Sequence, residues 1–315
     1  MAQEELNWRW LGREEIDDAR WDQVVKADSR SVPYGLTEVL DARCVEWGGM
    51  VLGNYEAVFP LPFKKRWGLL YSRMPFGLQQ LGVFGPDVLK SWIHVEAVLK
   101  CLPKRLIWLD IHLHEGIEDA LIPSSKWKWV GLFQFEKWHK RRTAVLQIAK
   151  TYEEVHRNFS GQTAKNVKKA TSQAFTWFEH DSPEVLIRAF RENQMKKYTG
   201  ISSMFLDAVS GQMNALVSKR RGVVHTVYGP GNQLYAGAFW WFQGDRMILY
   251  FSAITDEGRK CQAMSYLINE ALIQASGTWK WLDFEGSQED GLHQFYLGWG
   301  AKTLPYLRLQ RLKFL

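Results

Sequence analysis

At 315 residues the chain exceeds the ~100–200 residues of a typical single domain, so two modules are expected. Hydrophobic residues at 46% and charged residues at 23% exclude a mainly disordered or collagen-like chain. Forty basic residues against 34 acidic ones leave a net charge of +6, which favours anionic partners, but no basic run has the form of a nucleic-acid-binding tail. Cys44, Cys101 and Cys261 are too few and too far apart for a disulfide framework or a zinc site and read as reduced, buried thiols. The N-terminal MAQEELNWRW has no apolar stretch and does not read as a secretory signal. No window approaches the ~20 apolar residues of a membrane span, so the expected location is the cytoplasm. The sixteen tryptophans supply large amphipathic surfaces suited to a core or to a groove.

In chain order, Trp8 to Leu11 reads as a strand, and Asp18 to Ala27 and Tyr34 to Asp41 as helices. Cys44 to Trp47 and Val51 to Phe59 then read as a hairpin turning at Gly48-Gly49, with Trp67 to Tyr71 as a third strand. Pro86-Asp87 opens a helix to Lys100 with an apolar face of Val88, Trp92, Val95 and Leu99, and Arg105 to Leu109 is an apolar strand. Tyr152 to Phe159 and Gly161 to Gln173 read as junction helices.

The second half has sharper signals, because the apolar period switches between two and 3.6 at clear turns. A strand at Phe175 to Glu179 precedes helices at Glu184 to Tyr198 and Ser203 to Lys219. Gly222 to Tyr228, Gln233 to Phe242 and Met247 to Ile254 form a meander, with turns at 229–232 and 243–246. Met264, Leu267, Ile268, Ala271, Leu272 and Ala275 make a one-sided stripe on the next helix, which should lie on the sheet. A strand from Trp279 to Phe284, a helix from Glu289 to Leu297 and a strand from Thr303 to Leu309 end the order. The same order recurs in both halves, which predicts a duplicated mixed α/β fold with modules at 1–150 and 151–315 and junction helices at about 152–173.

Two segments carry chemistry. Phe295-Tyr296-Leu297-Gly298-Trp299-Gly300 resembles the GNAT segment in which a tyrosine at a helix end faces the leaving group of an acyl donor; Tyr296 takes that place, with packing in the core as the alternative. Gly258-Arg259-Lys260-Cys261-Gln262-Ala263-Met264 stands where GNAT enzymes wrap a pyrophosphate at a helix start. The glycine positions of that pattern hold Gln262 and Met264, whose side chains would crowd a pyrophosphate. Arg259 and Lys260 can attract phosphate or stand solvated on the first turn.

Trp281-Leu282-Asp283-Phe284-Glu285-Gly286-Ser287, followed by the Phe-Tyr segment and Pro305-Tyr306, resembles the C-terminal signature of the FemAB-like branch of the GNAT superfamily. The helix with Lys165, Lys168 and Lys169 resembles that family's basic junction, and Pro75 to Phe84, with Gln79 and Gln80, its acceptor-facing loop. The resemblance implies two tandem GNAT-like modules sharing a cleft, each a mostly antiparallel sheet flanked by helices. It also implies transfer of an aminoacyl or acyl group to an amine or hydroxyl of a small molecule or cell-envelope precursor. The donor would be acyl-CoA or aminoacyl-tRNA, with no further cofactor, no metal and no DNA partner.

On this reading Tyr296 is catalytic, with Glu285 or Asp283 as the base; Arg259, Lys260, Ser252 and Ala253 bind the donor; Gln79, Gln80, Lys165 and Trp281 line the acceptor groove. A carboxylate at a strand end can equally cap a helix or brace a loop, and Ser287 reads as a cap. His112 and His114 share a strand face but have no third ligand spaced nearby, so they are not expected to hold a metal. Two other readings remain open: a binding module that keeps the fold without catalysis, and an RNA-binding protein.

Overall fold

The computed structural model describes residues 7–30, 32–75, 77–89, 91–115, 128–131, 134–195, 202–286 and 288–313. The chain divides into two units, Met1–Arg142 with Leu304–Leu315, and Thr143–Thr303.

The first unit begins with β1 (Trp8–Gly12), α1 (Asp18–Ala27), α2 (Thr37–Arg43), β2 (Glu46–Leu52), β3 (Ala57–Arg66) and β4 (Leu69–Arg73). It continues with α3 (Trp92–Cys101), β5 (Leu106–His112), β6 (Lys128–Gly131) and β7 (Gln134–Gln147), whose last five residues belong to the second unit. The second unit holds α4 (Tyr152–His156), α5 (Gly161–Thr171), β8 (Thr176–Glu179), α6 (Pro183–Asn193), α7 (Ser203–Ser218) and β9 (Gly222–Gly229). There follow β10 (Gln233–Gln243), β11 (Arg246–Ile254), α8 (Asp256–Lys260), α9 (Ala263–Ala275), β12 (Trp281–Gly286) and α10 (Asp290–Leu297). The last strand, β13 (Lys302–Lys313), lies mostly in the first unit.

The two units repeat one plan. In the first, β1 to β4 pair antiparallel in sequence, α3 crosses over, and β5 joins β4 in parallel. In the second, β8 to β11 pair antiparallel, α8 and α9 cross over, and β12 joins β11 in parallel. Each parallel step needs a crossover element, which fixes one helix on the sheet at that place. Leu267, Ile268, Ala271, Leu272 and Ala275 of α9 are buried in a core with Trp240, Leu282 and Phe284. Val95, Val98 and Leu99 of α3 occupy the matching place in the first unit with Phe59, Leu109 and Trp138.

The structure departs from the sequence expectations at several points. Gly48 and Gly49 lie inside β2, and the chain turns at residues 53–56 instead. A Cβ on Gly49 would stand 2.2 Å from the Trp21 ring, and one on Gly48 2.6 Å from the Trp10 ring, so both glycines admit tryptophans onto the strand. Val88 is 78% exposed and precedes α3, which starts only at Trp92, so it is no part of that helix's apolar face. Helix α2 starts at Thr37 and α6 ends at Asn193; residues 196–198 of the longer expected helix lie outside the described residues. Strand β7 was not anticipated, because the charged run Lys137 to Arg142 obscures its alternation.

The chain end, Leu304–Leu315, belongs to the first unit. Antiparallel pairing of β13 with β5, from Arg308↔His112 to Leu312↔Trp108, holds it in the first, together with the Arg308–Asp110 ion pair. No helix among the described residues is long and apolar enough to cross a membrane.

Candidate functional site

The second unit's parallel step opens. Strand β11 pairs with β12 at Arg246↔Trp281, Met247↔Leu282 and Ile248↔Asp283, and the ladder then ends although β11 runs on to Ile254. The cause lies in β12, whose pairing with β7 shifts register between Asp283 and Gly286. Glu285 sits in this bulge with φ +57°, a left-handed conformation that costs a residue with a Cβ about 1–2 kcal/mol.

Asp283 enforces the bulge. Its Oδ1 accepts from the Glu285 N–H at 2.9 Å, and the Thr143 hydroxyl lies 3.1 Å from both Asp283 Oδ1 and the Glu285 carbonyl. Its Oδ2 accepts from Arg246 Nη1 at 2.8 Å, in an ion pair with 4% and 1% of the side chains exposed. A carboxylate committed in this way braces the loop, the second of the two roles open to Asp283. Arg246, read from sequence as a turn residue, begins β11 and is buried. Glu285 is half-buried at the end of the opened strand.

On the other side of the opening, Ser252 is half-buried opposite Ala238, and Ala253 is buried opposite Gly237. The Thr255 N–H bonds the Tyr235 carbonyl of the neighbouring chain segment, so the Ile254 N–H faces the open edge. There it donates to Gln194 Oε1 at 3.0 Å. Gln194, just past the end of α6, was not singled out from sequence and carries no local signal, since only the fold brings it to this edge.

Tyr296 is 6% exposed, and its ring stacks on Phe284 at 4.5 Å and 13°. It therefore packs beside the same bulge as Glu285, within the unit's core. The glycines of its motif serve close packing: a Cβ on Gly298 would stand 2.4 Å from Thr163 Oγ1, and Gly300, at φ +87°, lies against Asn158. Phe159 meets Trp299 edge-on at 4.9 Å, which fastens the α4–α5 link to the end of α10.

Helix α8 carries Arg259 and Lys260, each with a local partner: Arg259 pairs with Asp256 at 3.1 Å and Lys260 with Glu257 at 3.9 Å. Gly258 is buried where a Cβ would stand 2.1 Å from the Tyr235 carbonyl oxygen, so α8 rests directly on β10 backbone. Gln262 precedes α9 at φ +61°, with its side-chain amide donating to the Arg259 carbonyl at 3.2 Å. Lys169 of α5 donates to the Lys260 carbonyl at 3.1 Å, which brings the exposed Lys165, Lys168 and Lys169 of α5 alongside α8.

The remaining expected positions lie elsewhere. Trp281 is at the opposite end of β12 from Glu285, with Lys280 Nζ 5.7 Å above its ring. In the first unit Gln79 and Gln80 are buried and bonded to each other at 2.8 Å, and Gln80 Oε1 accepts from the Glu115 N–H at 2.8 Å. That network holds both side chains inside the first unit. His112 donates through Nδ1 to the Gln79 carbonyl at 2.9 Å, and burial pushes its imidazole down to about 4. His114 is fully buried beside Gly82. Ser287 lies outside the described residues.

No protein-family model matches the sequence, and no curated protein matches it. Solved structures do. The chain is similar to FemX at 14% identity over 95% of this chain and 96% of that one, with a TM-score of 0.65. The chain shares the fold of that structure. A tandem GNAT protein from the clavulanic acid biosynthesis pathway is similar at 8% identity over 98% of both chains, with a TM-score of 0.54. The C-terminal domain of a putative lysylphosphatidylglycerol synthetase from Agrobacterium fabrum is similar at 11% identity over 92% and 90%, with a TM-score of 0.51. At these identities the likeness is one of fold.

Proposed function

We propose that the protein is an acyltransferase that moves an aminoacyl or acyl group from a carrier to an amine or hydroxyl. The observation that carries this reading is the opened β11–β12 step with the left-handed Glu285 at its end. Strand alternation places the Ser252 N–H on the same open edge as the Ile254 N–H, which donates to Gln194 Oε1, so Ser252 offers the backbone donor to an acyl carbonyl there. The acceptor nitrogen or oxygen attacks the acyl carbon, Glu285 takes the proton that it loses, and the bond from the acyl carbon to the carrier's oxygen or sulfur breaks. The departing group leaves with a proton. In this scheme Tyr296 supports the bulge through Phe284 and stands as the candidate proton donor to that group.

The donor is carrier-linked, and an aminoacyl-tRNA fits better than acetyl-CoA. Gln262 folds over the start of α9, and Arg259 and Lys260 already have carboxylate partners, which leaves a poor cradle for a pyrophosphate. Exposed Lys165, Lys168 and Lys169 beside α8 suit a polyanionic carrier. The acceptor is a small-molecule or cell-envelope amine or hydroxyl.

The test is a transfer assay with labelled aminoacyl-tRNA and acyl-CoA donors against a panel of amines. Glu285→Gln should lower kcat by about 100-fold or more without changing donor affinity. Full activity in both Glu285→Gln and Tyr296→Phe would overturn the site assignment. Because the glycines of the donor turn are replaced, a binding module is the second reading; saturable donor binding without turnover would support it.

A further inference from the structure

The first unit carries an exposed feature that acyl transfer does not use. The β3–β4 hairpin turns on Trp67 and Gly68, at φ +50° and +76°, between the paired residues Arg66 and Leu69. Such two-residue turns favour Asn, Asp or Gly at the first position, and a bulky residue there is strained. Trp67 is nevertheless 82% exposed, so burial does not repay that strain. The Arg66 guanidinium lies 4.3 Å from its ring centroid.

The end of the sheet around Trp67 is cationic. Lys64, Lys65 and Arg66 lead into the turn and are exposed. The segment before β5 brings Lys104 and Arg105 beside it, with the Leu70 N–H bonded to the Arg105 carbonyl at 2.9 Å. Lys313 Nζ lies 3.3 Å from the Lys104 carbonyl oxygen. Residues 61–73, 97–109 and 304–315 contain no Asp or Glu. The acids that adjoin it are Glu46, bound to Lys65 at 2.7 Å, Asp41, bound to Arg13 at 2.8 Å, and Glu14 and Glu15, which line one pocket with Val45, Lys65 and Arg105. Val45, 72% exposed, precedes β2 on this same end, since Glu46 stands opposite Phe63.

We propose that this end of the first unit docks on an anionic lipid surface, with Trp67 and Val45 entering the interface and Lys64, Arg66, Lys104, Arg105 and Lys313 meeting the headgroups. A surface on which cations outnumber acids calls for an anionic partner, and an amphipathic ring carried on a projecting hairpin suits the boundary between headgroups and acyl chains. Lysine and arginine stems add apolar length beneath their charges. RNA fits less well: Arg66 already covers the ring, and the second exposed apolar group is aliphatic, with no face for a base to stack on.

The experiment is co-flotation of the full chain with phosphatidylglycerol–phosphatidylcholine vesicles and with pure phosphatidylcholine vesicles, at low and high salt. The wild type should bind the anionic vesicles alone and lose affinity as salt rises. Lys64→Gln with Arg66→Gln should weaken binding by about twentyfold. Trp67→Asn suits the positive φ, so its Tm should match or exceed that of the wild type while vesicle affinity falls about fivefold or more. The proposal is overturned if anionic vesicles fail to bind at low salt, if neutral vesicles bind equally, or if Trp67→Asn binds like the wild type. It is also overturned if these variants lose affinity for RNA while the wild type ignores vesicles.

Discussion

Arg246 Nη1 and Asp283 Oδ2 stand 2.8 Å apart, both side chains almost wholly buried, where the parallel β11–β12 ladder begins to fail. Taking one partner away leaves a buried charge without its counter-ion, which costs more than the pair contributes. Asp283→Ala should therefore destabilise the protein by about 3–5 kcal/mol in urea unfolding, and Arg246→Met by a similar amount. The double variant Arg246→Met, Asp283→Leu should lose markedly less than the sum of the two. Additive losses would show that Asp283 acts mainly through the Glu285 N–H and Thr143.

Glu285 holds its left-handed conformation against about 1–2 kcal/mol of strain. Glycine removes that strain but adds roughly 0.5–1 kcal/mol of chain entropy to the unfolded state. Glu285→Gly should thus raise stability slightly, by about 0.5–1 kcal/mol, while abolishing transfer, whereas Glu285→Gln should leave stability unchanged. Paired unfolding and transfer measurements on the two variants check this. A Glu285→Gly variant that loses stability would mean that the side chain's contacts outweigh the backbone strain.

Much of this region was legible in the sequence because the second unit changes period cleanly. The meander, the α9 stripe and the strand–helix–strand ending follow from alternation and turn residues alone. What decides the site was not legible. That Asp283 braces the bulge, and that it does so through Arg246 and Thr143, depends on contacts between residues 37 and 140 positions apart. Gln194 reaches β11 across 60 positions. In the first unit Gly48-Gly49 has the composition of a turn, and only the tryptophans packed against it show why glycine stands in a strand. The helix-start segment was readable as a departure from the phosphate-binding pattern, but the local partners of Arg259 and Lys260 were not.

Gly258 sets the position of α8 through its approach to β10. The obstructing atom is a backbone oxygen, which cannot swing aside as a flexible side chain would. Gly258→Ala should push α8 outward and cost about 1–3 kcal/mol. Donor affinity should fall more steeply than acceptor affinity, since α8 and the start of α9 move with it. Equal losses for both substrates would separate this turn from donor binding.

Two buried histidines make stability depend on pH. Burial holds His112 and His225 each down at about 4, and the Trp240 indole N–H donates to His225 Nδ1 at 3.0 Å, which requires that nitrogen to be unprotonated. An unfolded histidine titrates near 6.5, so between about 6.5 and 4 the unfolded chain binds more protons than the folded one. The stabilisation is complete above that window and is lost as pH falls through it. By pH 5 the loss should reach roughly 2 kcal/mol for each histidine. Urea midpoints between pH 7 and 5 measure it above the range in which most carboxylates titrate. His225→Asn offers an amide oxygen to Trp240 and does not titrate, so its stability should fall only about half as far over the same interval. A profile as steep as that of the wild type would assign the pH dependence to other groups, with His94, which burial also lowers, then Glu179 and His180 beside His225, and Asp110, Arg141 and Arg308 beside His112, as the next to replace.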